Sequence, residues 1–213
     1  MRSRLFLQVL ISLIVTALVA LPVAARLIKP ATQTIVVFGD SLSAGYGLQA
    51  NESWVSLLQA RLNQQKLAYN VINASISGET TSGGLARFSE ALATHKPSIV
   101  ILELGANDGL RGLPINEMRS NLNKIILQAK AAKAKVLLIG MKIPPNYGQK
   151  YSRDFSASYA VLAKQHKIKH VPFLLDGVAG NPSLIQDDGL HPIAAAQPKL
   201  LDNVWAQLKG LLR

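Results

Sequence analysis

The chain has 213 residues, 49% of them hydrophobic and 16% charged, a composition that provides for one globular domain with its own core and excludes a disordered chain. It has no cysteine, which rules out disulfides, thiolate nucleophiles and cysteine-ligated metals. The formal charge of +11 comes from lysines and arginines scattered along the chain, with the tightest grouping KAAKAK at 130–135. That pattern is a solvated basic surface, suited to peripheral contact with an anionic membrane, and no nucleic-acid partner is expected.

At the N-terminus Arg2 and Arg4 precede an uncharged apolar run from Leu5 to Ala25, which closes on the small residues Val23-x-Ala25. A basic start, an apolar middle and a small-residue end make a secretory signal peptide over residues 1–25, leaving a mature domain over 26–213. The run also approaches the roughly 20 residues that span a bilayer, so a retained anchor is the competing reading. Either way the domain is exported, to the periplasm of a Gram-negative bacterium or otherwise to the outside.

Thr34 to Gly39 (TIVVFG) is β-branched and apolar, the pattern of a buried parallel strand. Asn51 to Gln65 places Trp54, Leu57, Leu58 and Leu62 at helical spacing. Ala68–Asn73 reads as a second strand, Thr80–His95 as a helix and Ser98–Leu104 (SIVILEL) as a third strand. A helix from about Pro114 turns Met118, Leu122, Ile125 and Ile126 inward and leads to a fourth strand, Lys135–Gly140. The prolines of MKIPPNYGQKYS predict a loop. Ser152–His166 follows as a helix, Ile168–Phe173 as a short fifth strand, and Ala194 through Trp205 to Leu212 as a final amphipathic helix.

Strands alternating with helices predict a doubly wound α/β domain, because parallel strands need crossovers and both faces of their sheet need cover. Ligands of such sheets bind outside the carboxyl ends of the strands. Three polar loops fall there: Gly39-Asp40-Ser41 after the first strand, ASISGET with Gly78 after the second, and GANDG with Asn107 after the third.

A serine hydroxyl needs a base to become a nucleophile, and the base needs a group to orient it. Of four histidines, His95 lies at a helix end, and His166 and His170 lie in a basic stretch without carboxylates, which argues against a metal there. His191 differs, since QDDGLHP places Asp188 three residues before it, so that one loop carries a base and its carboxylate. Gly78 can bring a backbone N–H close to a developing oxyanion, and Asn107 offers a neutral amide. Taken singly, each of these also reads as ordinary turn chemistry; their coincidence at one sheet edge favours catalysis.

The four blocks GDSLS, ISGET, GAND and DGLHP, in this order and covering nearly the whole mature chain, resemble the SGNH or GDSL family of serine hydrolases. GDSLSAGYG, NASISGETTSGGLAR, ELGANDGLRG and PPNYG are similar to its exported bacterial subgroup of thioesterase, lysophospholipase and arylesterase activity. The resemblance implies a flavodoxin-like three-layer α/β/α sandwich with a mostly parallel five-stranded sheet. It implies Ser41 as nucleophile, His191 as base and Asp188 as its orienting carboxylate. Asp188 is preferred to Asp187 on the family spacing. The oxyanion hole would comprise the N–H groups of Ser41 and Gly78 and the side chain of Asn107. Gly39-Asp40-Ser41-Leu42-Ser43 lacks the second glycine of G-x-S-x-G, so an α/β-hydrolase fold is not supported. Asp40 is expected to order the loop.

The implied reaction is hydrolysis of acyl esters or thioesters through an acyl-serine, without cofactor, metal or protein partner. Leu110, Leu113, Ile143 and Pro144 are candidates to line an acyl groove. Export favours lysophospholipid or other oxygen esters over acyl-CoA, which is made in the cytoplasm. A carbohydrate acetyl esterase of the same family and a noncatalytic binding module are the alternatives.

Overall fold

The computed structural model describes residues 32–212; the predicted signal peptide lies outside them. Five strands, β1 (Gln33–Gly39), β2 (Tyr69–Asn73), β3 (Ile99–Glu103), β4 (Lys135–Ile139) and β5 (Lys169–Val171), form one sheet in the order β2-β1-β3-β4-β5. Every neighbouring pair is parallel. Seven α-helices accompany them among the described residues: α1 (Ser41–Ala44), α2 (Trp54–Gln64), α3 (Thr81–His95), α4 (Ala106–Leu110), α5 (Ile115–Ala131), α6 (Gln149–His166) and α7 (Gln197–Leu208).

The strand order explains the layers. From β1 the chain crosses outward to β2, then returns past β1 to β3, and right-handed crossovers in opposite directions must lie on opposite faces. Accordingly α2 packs with α7 in one layer, while α3 packs with α5 and α5 with α6 in the other. The sheet between them is dry: Ile35 to Phe38, Ile99 to Leu102 and Val136 to Ile139 are all buried. Cover on both faces is why these strands are continuous apolar runs rather than alternating ones. Reversal at β1 also leaves a crevice beyond the carboxyl ends of β1 and β3, where no connection closes over the sheet.

Several boundaries differ from expectation for local reasons. Helix α6 begins at Gln149 rather than Ser152, because the loop tightens into a single 3-10 turn at Pro145–Tyr147 and Gly148 enters the helix at φ +94°. Strand β5 stops at Val171, since Pro172 has no N–H to continue the ladder. Ala194–Ala196 is a 3-10 turn, and the last helix starts at Gln197 with Pro198 in its first turn, where a missing N–H costs nothing. Helices α1 and α4 are too short to have shown a periodicity.

Gly39, at the end of β1, is in register with Glu103 at the end of β3. A Cβ on Gly39 would lie 2.7 Å from Glu103 Oε2, 2.9 Å from its carbonyl oxygen and 2.9 Å from Ser43 Cβ. Two of these neighbours are fixed by the sheet and by α1, so the crowding cannot relax through a flexible tip. Gly39→Ala is therefore expected to cost about 1–3 kcal/mol of stability, read as a lowered denaturation midpoint at constant m-value. An unchanged midpoint would mean that the β1–β3 junction opens freely.

Candidate active site

Asp40 turns strand β1 into helix α1. Its backbone is extended (φ −107°, ψ −150°), and its Oδ1 accepts the N–H of Leu42 at 3.1 Å, which makes it the N-cap. Ser41 is thereby the first residue of a helix, with a backbone N–H that has no intrahelical acceptor. Asn73, at the end of β2, donates its Nδ2 to the Ser43 carbonyl at 2.7 Å and ties the turn to the neighbouring strand.

His191 and Asp188 arrive on a loop that closes on itself. Ile185 and Pro192 form an isolated antiparallel bridge, and the N–H of Gln186 donates to the His191 carbonyl at 2.7 Å. Gly189 takes the bend at φ +73°, a conformation that favours glycine. Gln186 Nε2 donates to the Tyr46 carbonyl at 2.9 Å, joining this loop to the segment after α1. The two segments meet as a result: His191 Nε2 is 2.8 Å from Ser41 Oγ, and His191 Nδ1 is 2.6 Å from Asp188 Oδ2.

Asp188 Oδ1 accepts the N–H groups of Leu190 (2.9 Å) and His191 (3.0 Å). The His191 N–H, then the Leu190 N–H and the imidazole, outweigh desolvation and hold this carboxyl down at about 2. It is therefore ionised throughout the neutral range. Because its pKa is depressed, the stability it lends the loop is present above its ordinary value of 3.8 and is lost as pH falls toward 2. A carboxylate on Nδ1 keeps the proton on that nitrogen and turns the Nε2 lone pair toward the hydroxyl. The Tyr46 ring lies against the imidazole at 4.5 Å between centroids and 39° between planes, which fixes the ring from the side.

Two further groups face Ser41 from neighbouring strand ends. Gly78 sits at φ +79°; its carbonyl accepts Arg111 Nη2 at 2.9 Å, and its N–H has no acceptor among the described residues. Asn107 is the second residue of α4, whose entry at Gly105 (φ +116°) brings the backbone against the Tyr159 hydroxyl. Next to it, Asp108 accepts both the N–H (2.8 Å) and the hydroxyl (2.6 Å) of Thr81, which locks α4 to the start of α3. Asn107 Nδ2 donates to the Glu79 carbonyl at 3.0 Å and to Asp40 Oδ2 at 3.2 Å. Glu79 is itself clamped by Arg87, whose Nε reaches both carboxylate oxygens and whose Nη2 pairs with Oε2, with the guanidinium lying over the Phe38 ring.

Ser41, Gly78, Asn107 and His191 line one cleft of about 630 Å³, in the range of small-molecule sites. Leu110, Ile143 and Pro144 line it too, whereas Leu113 does not and is 38% exposed. Sequence reading missed Met141, Phe173, Leu175 and Ile185, which complete the apolar wall. Most of these follow β4 and β5, so the rule of inspecting strand ends would have found them if carried past the third strand. It also passed over Glu103, an acid inside the apolar SIVILEL that ends fully buried beneath Ser43.

Such an arrangement can carry acyl transfer: a hydroxyl on a base, a base on a carboxylate, and amide donors across from both. A sequence profile of the GDSL-like lipase/acylhydrolase family matches residues 37–197. The chain belongs to that family. It is 50% identical over 184 residues to the esterase TesA of Pseudomonas aeruginosa, covering 86% of this chain and 92% of the relative. Identity to the thioesterase 1/protease 1/lysophospholipase L1 of Escherichia coli K12 is 42% over 182 residues, 85% of this chain and 86% of that one. The crystal structure of the psychrotrophic esterase EstA from Pseudoalteromonas sp., inhibited by monoethylphosphonate, superposes with a TM-score of 0.80 at 42% identity, covering 84% of this chain and 97% of that one. The protein is a serine esterase/thioesterase of this family, with the family's three-layer α/β/α sandwich.

Asp187 is exposed and makes no side-chain hydrogen bond among the described residues, in contrast to its neighbour. Asp188→Asn is expected to lower kcat on the order of 10⁴-fold by releasing the imidazole proton and orientation, while Asp187→Asn leaves kcat unchanged. Steady-state kinetics on an aryl ester decides between them, and equal effects would reject the geometric assignment.

Proposed function

We propose that this protein is an exported hydrolase of medium- or long-chain acyl esters, working through an acyl-Ser41 intermediate. The observation that carries the reading is the relay Ser41 Oγ, His191 and Asp188, with separations of 2.8 and 2.6 Å, opening onto an apolar cleft. His191 Nε2 takes the Ser41 proton as Oγ attacks the ester carbonyl. The tetrahedral oxyanion is met by the N–H groups of Ser41 and Gly78 and by Asn107 Nδ2. Collapse expels the alcohol, protonated by His191, and water repeats the sequence on the acyl-enzyme.

The substrate follows from the walls. Beyond the reacting groups the cleft offers Met141, Ile143, Phe173 and Leu175, which suit an alkyl chain and provide few donors for a sugar. Its surroundings are apolar as well: Tyr46, Ile76, Leu113, Tyr147 and Leu190 are exposed on loops at the carboxyl end of the sheet. Lys142 and Arg111 stand among them, so an amphiphilic ester with an anionic or zwitterionic head, such as a lysophospholipid, fits both parts of the surface. The Escherichia coli relative's name includes lysophospholipase, which supports the same class. Export, read from residues 1–25, favours such oxygen esters over cytoplasmic thioesters, with peripheral contact to an anionic membrane surface.

Hydrolysis of p-nitrophenyl esters from acetyl to palmitoyl, by the chain from Arg26 onward and by Ser41→Ala, tests this reading. Turnover should rise toward medium or long chains and vanish in the variant. A sharp maximum at acetyl would move the protein to the carbohydrate acetyl esterases, and ligand binding without turnover to the binding modules. Expression of the full chain in a Gram-negative host should give a periplasmic species whose mass begins at Arg26; an intact, membrane-bound chain would instead make residues 1–25 an anchor.

A further inference from the structure

Two buried carboxyl groups lie directly beneath the nucleophile and are not used by the acyl-transfer steps. Asp40 is 1% exposed and Glu103 is completely buried. Glu103 Oε2 accepts the Asp40 N–H at 3.3 Å and the Ser43 hydroxyl at 2.7 Å, while no donor points at Oε1. The Asp40 carboxylate, in turn, accepts the Leu42 N–H on one oxygen and Asn107 Nδ2 on the other.

Two adjacent carboxyl groups without solvent cannot both be charged. Oε1 of Glu103 accepts no bond and is the oxygen free to hold a proton, and a side-chain hydrogen bond joins this carboxyl group to that of Asp40. Burial, with the Asp40 charge added, raises Glu103 well above the ordinary carboxyl value, so it is the neutral partner. Burial likewise raises Asp40, but the bonds from Leu42 N–H, Glu103 and Asn107, together with His191, limit it to about 6.

What Asp40 does with its charge is visible at Asn107. A side-chain amide has one donor end and one acceptor end, and which end faces a given neighbour depends on the partners. Here both partners, the Glu79 carbonyl and the Asp40 carboxylate, are acceptors, so the NH₂ end is the one held at the cleft. A protonated Asp40 would turn a donor toward that NH₂ and lose the bond, leaving the Glu79 carbonyl alone to hold the amide in its donor orientation.

We propose that Glu103 is a positioning residue of the oxyanion hole: as a neutral acid donating to Asp40, it keeps Asp40 an acceptor and so fixes Asn107 in its donor orientation. This inference rests on the acyl-transfer reading above, whose own failure would show as activity retained in Ser41→Ala. An oxyanion in the cleft then shares an Nδ2 hydrogen with the weaker of its two resting partners, the Asp40 oxygen at 3.2 Å.

The titratable groups around the pair are His191 on its loop, Asp108 on α4 and Tyr159 on α6, whose hydroxyl donates to the Leu104 carbonyl. The test compares Glu103→Leu and Glu103→Gln with the parent, each also in an Asn107→Ala background. Leucine removes the donated bond, so kcat at neutral pH should fall about tenfold with KM little changed, and the acid limb of kcat should move to higher pH. In Asn107→Ala the same substitution should change kcat by less than about twofold, as expected for residues acting through one another. Glutamine reproduces the neutral donor and should keep both kcat and the acid limb of the parent.

Loss of kcat by Glu103→Leu that persists undiminished in Asn107→Ala would overturn the proposal. So would a Tm loss with kcat and acid limb unmoved, or a Glu103→Gln variant that behaves like Glu103→Leu. If the leucine variant does not fold, the glutamine variant still decides. The native parent keeps a Glu103 proton that its unfolded chain releases, so its stability falls as pH rises above the ordinary carboxyl value of 4.5. The Tm difference should therefore shift in favour of Glu103→Gln over that range, and a constant difference would refute the neutral-acid assignment.

Discussion

The parallel pairing of β1 with β3 is the constraint on which the site depends. It places Gly39 beside Glu103, and from these two strand ends the chain departs into Asp40-Ser41 on one side and Asn107 on the other. The Ser41 hydroxyl and the Asn107 amide are thus spaced by a hydrogen-bonded pair of strand ends. The reversal of the chain at β1 keeps the space above that pair free of connections, which is why a cleft exists there at all. β2 contributes Gly78 from the far side of β1, and the loop after β5 brings His191 across.

Carboxyl groups occupy different electrostatic stations around this junction. Asp188, bonded by two backbone N–H groups and an imidazole, is held at about 2 and is a permanent anion. Asp40 is buried but supplied with donors and sits at about 6. Glu103 is buried with an anion for a neighbour, and both push its carboxyl well above the ordinary value. The side chains are chemically alike; the supply of donors and the exclusion of water assign them different roles. The basic charge of the chain plays no part in this arrangement, because the lysines lie mostly on the outer faces of helices and at their ends.

Much of this was legible in the sequence because the fold is written in long apolar strands. TIVVFG, SIVILEL and KVLLIG could only be buried parallel strands, and the polar residues after the first three marked the site edge. What stayed hidden is short or distributed. Helices α1 and α4 have too few residues for a period, and the start of α6 depends on how a Pro-Pro-Asn-Tyr turn tightens. The far wall of the cleft comes from Phe173, Leu175 and Ile185, each anonymous in a chain that is half hydrophobic. Leu113 illustrates the converse: apolar and near the motif in sequence, it faces outward, since Tyr151 takes its carbonyl and α5 begins two residues later. Glu103 carried a signal, an acid where the pattern demanded an apolar residue, but a pattern cannot say what such a residue touches.

The loop that carries Asp188 and His191 is pinned to itself by the Ile185–Pro192 bridge and the Gln186–His191 bond, and to the rest of the protein through Gln186 and Tyr46. His191 and Asp188 are therefore a self-contained cassette, whose internal distance is set by bonds within the loop itself. The segment between β5 and Ile185, which supplies Phe173 and Leu175 to the cleft wall, lies outside that cassette, so the shape of the wall and the His191–Asp188 geometry are set separately. The wall that meets a ligand and the pair that faces Ser41 are thus separate pieces of one short stretch of sequence.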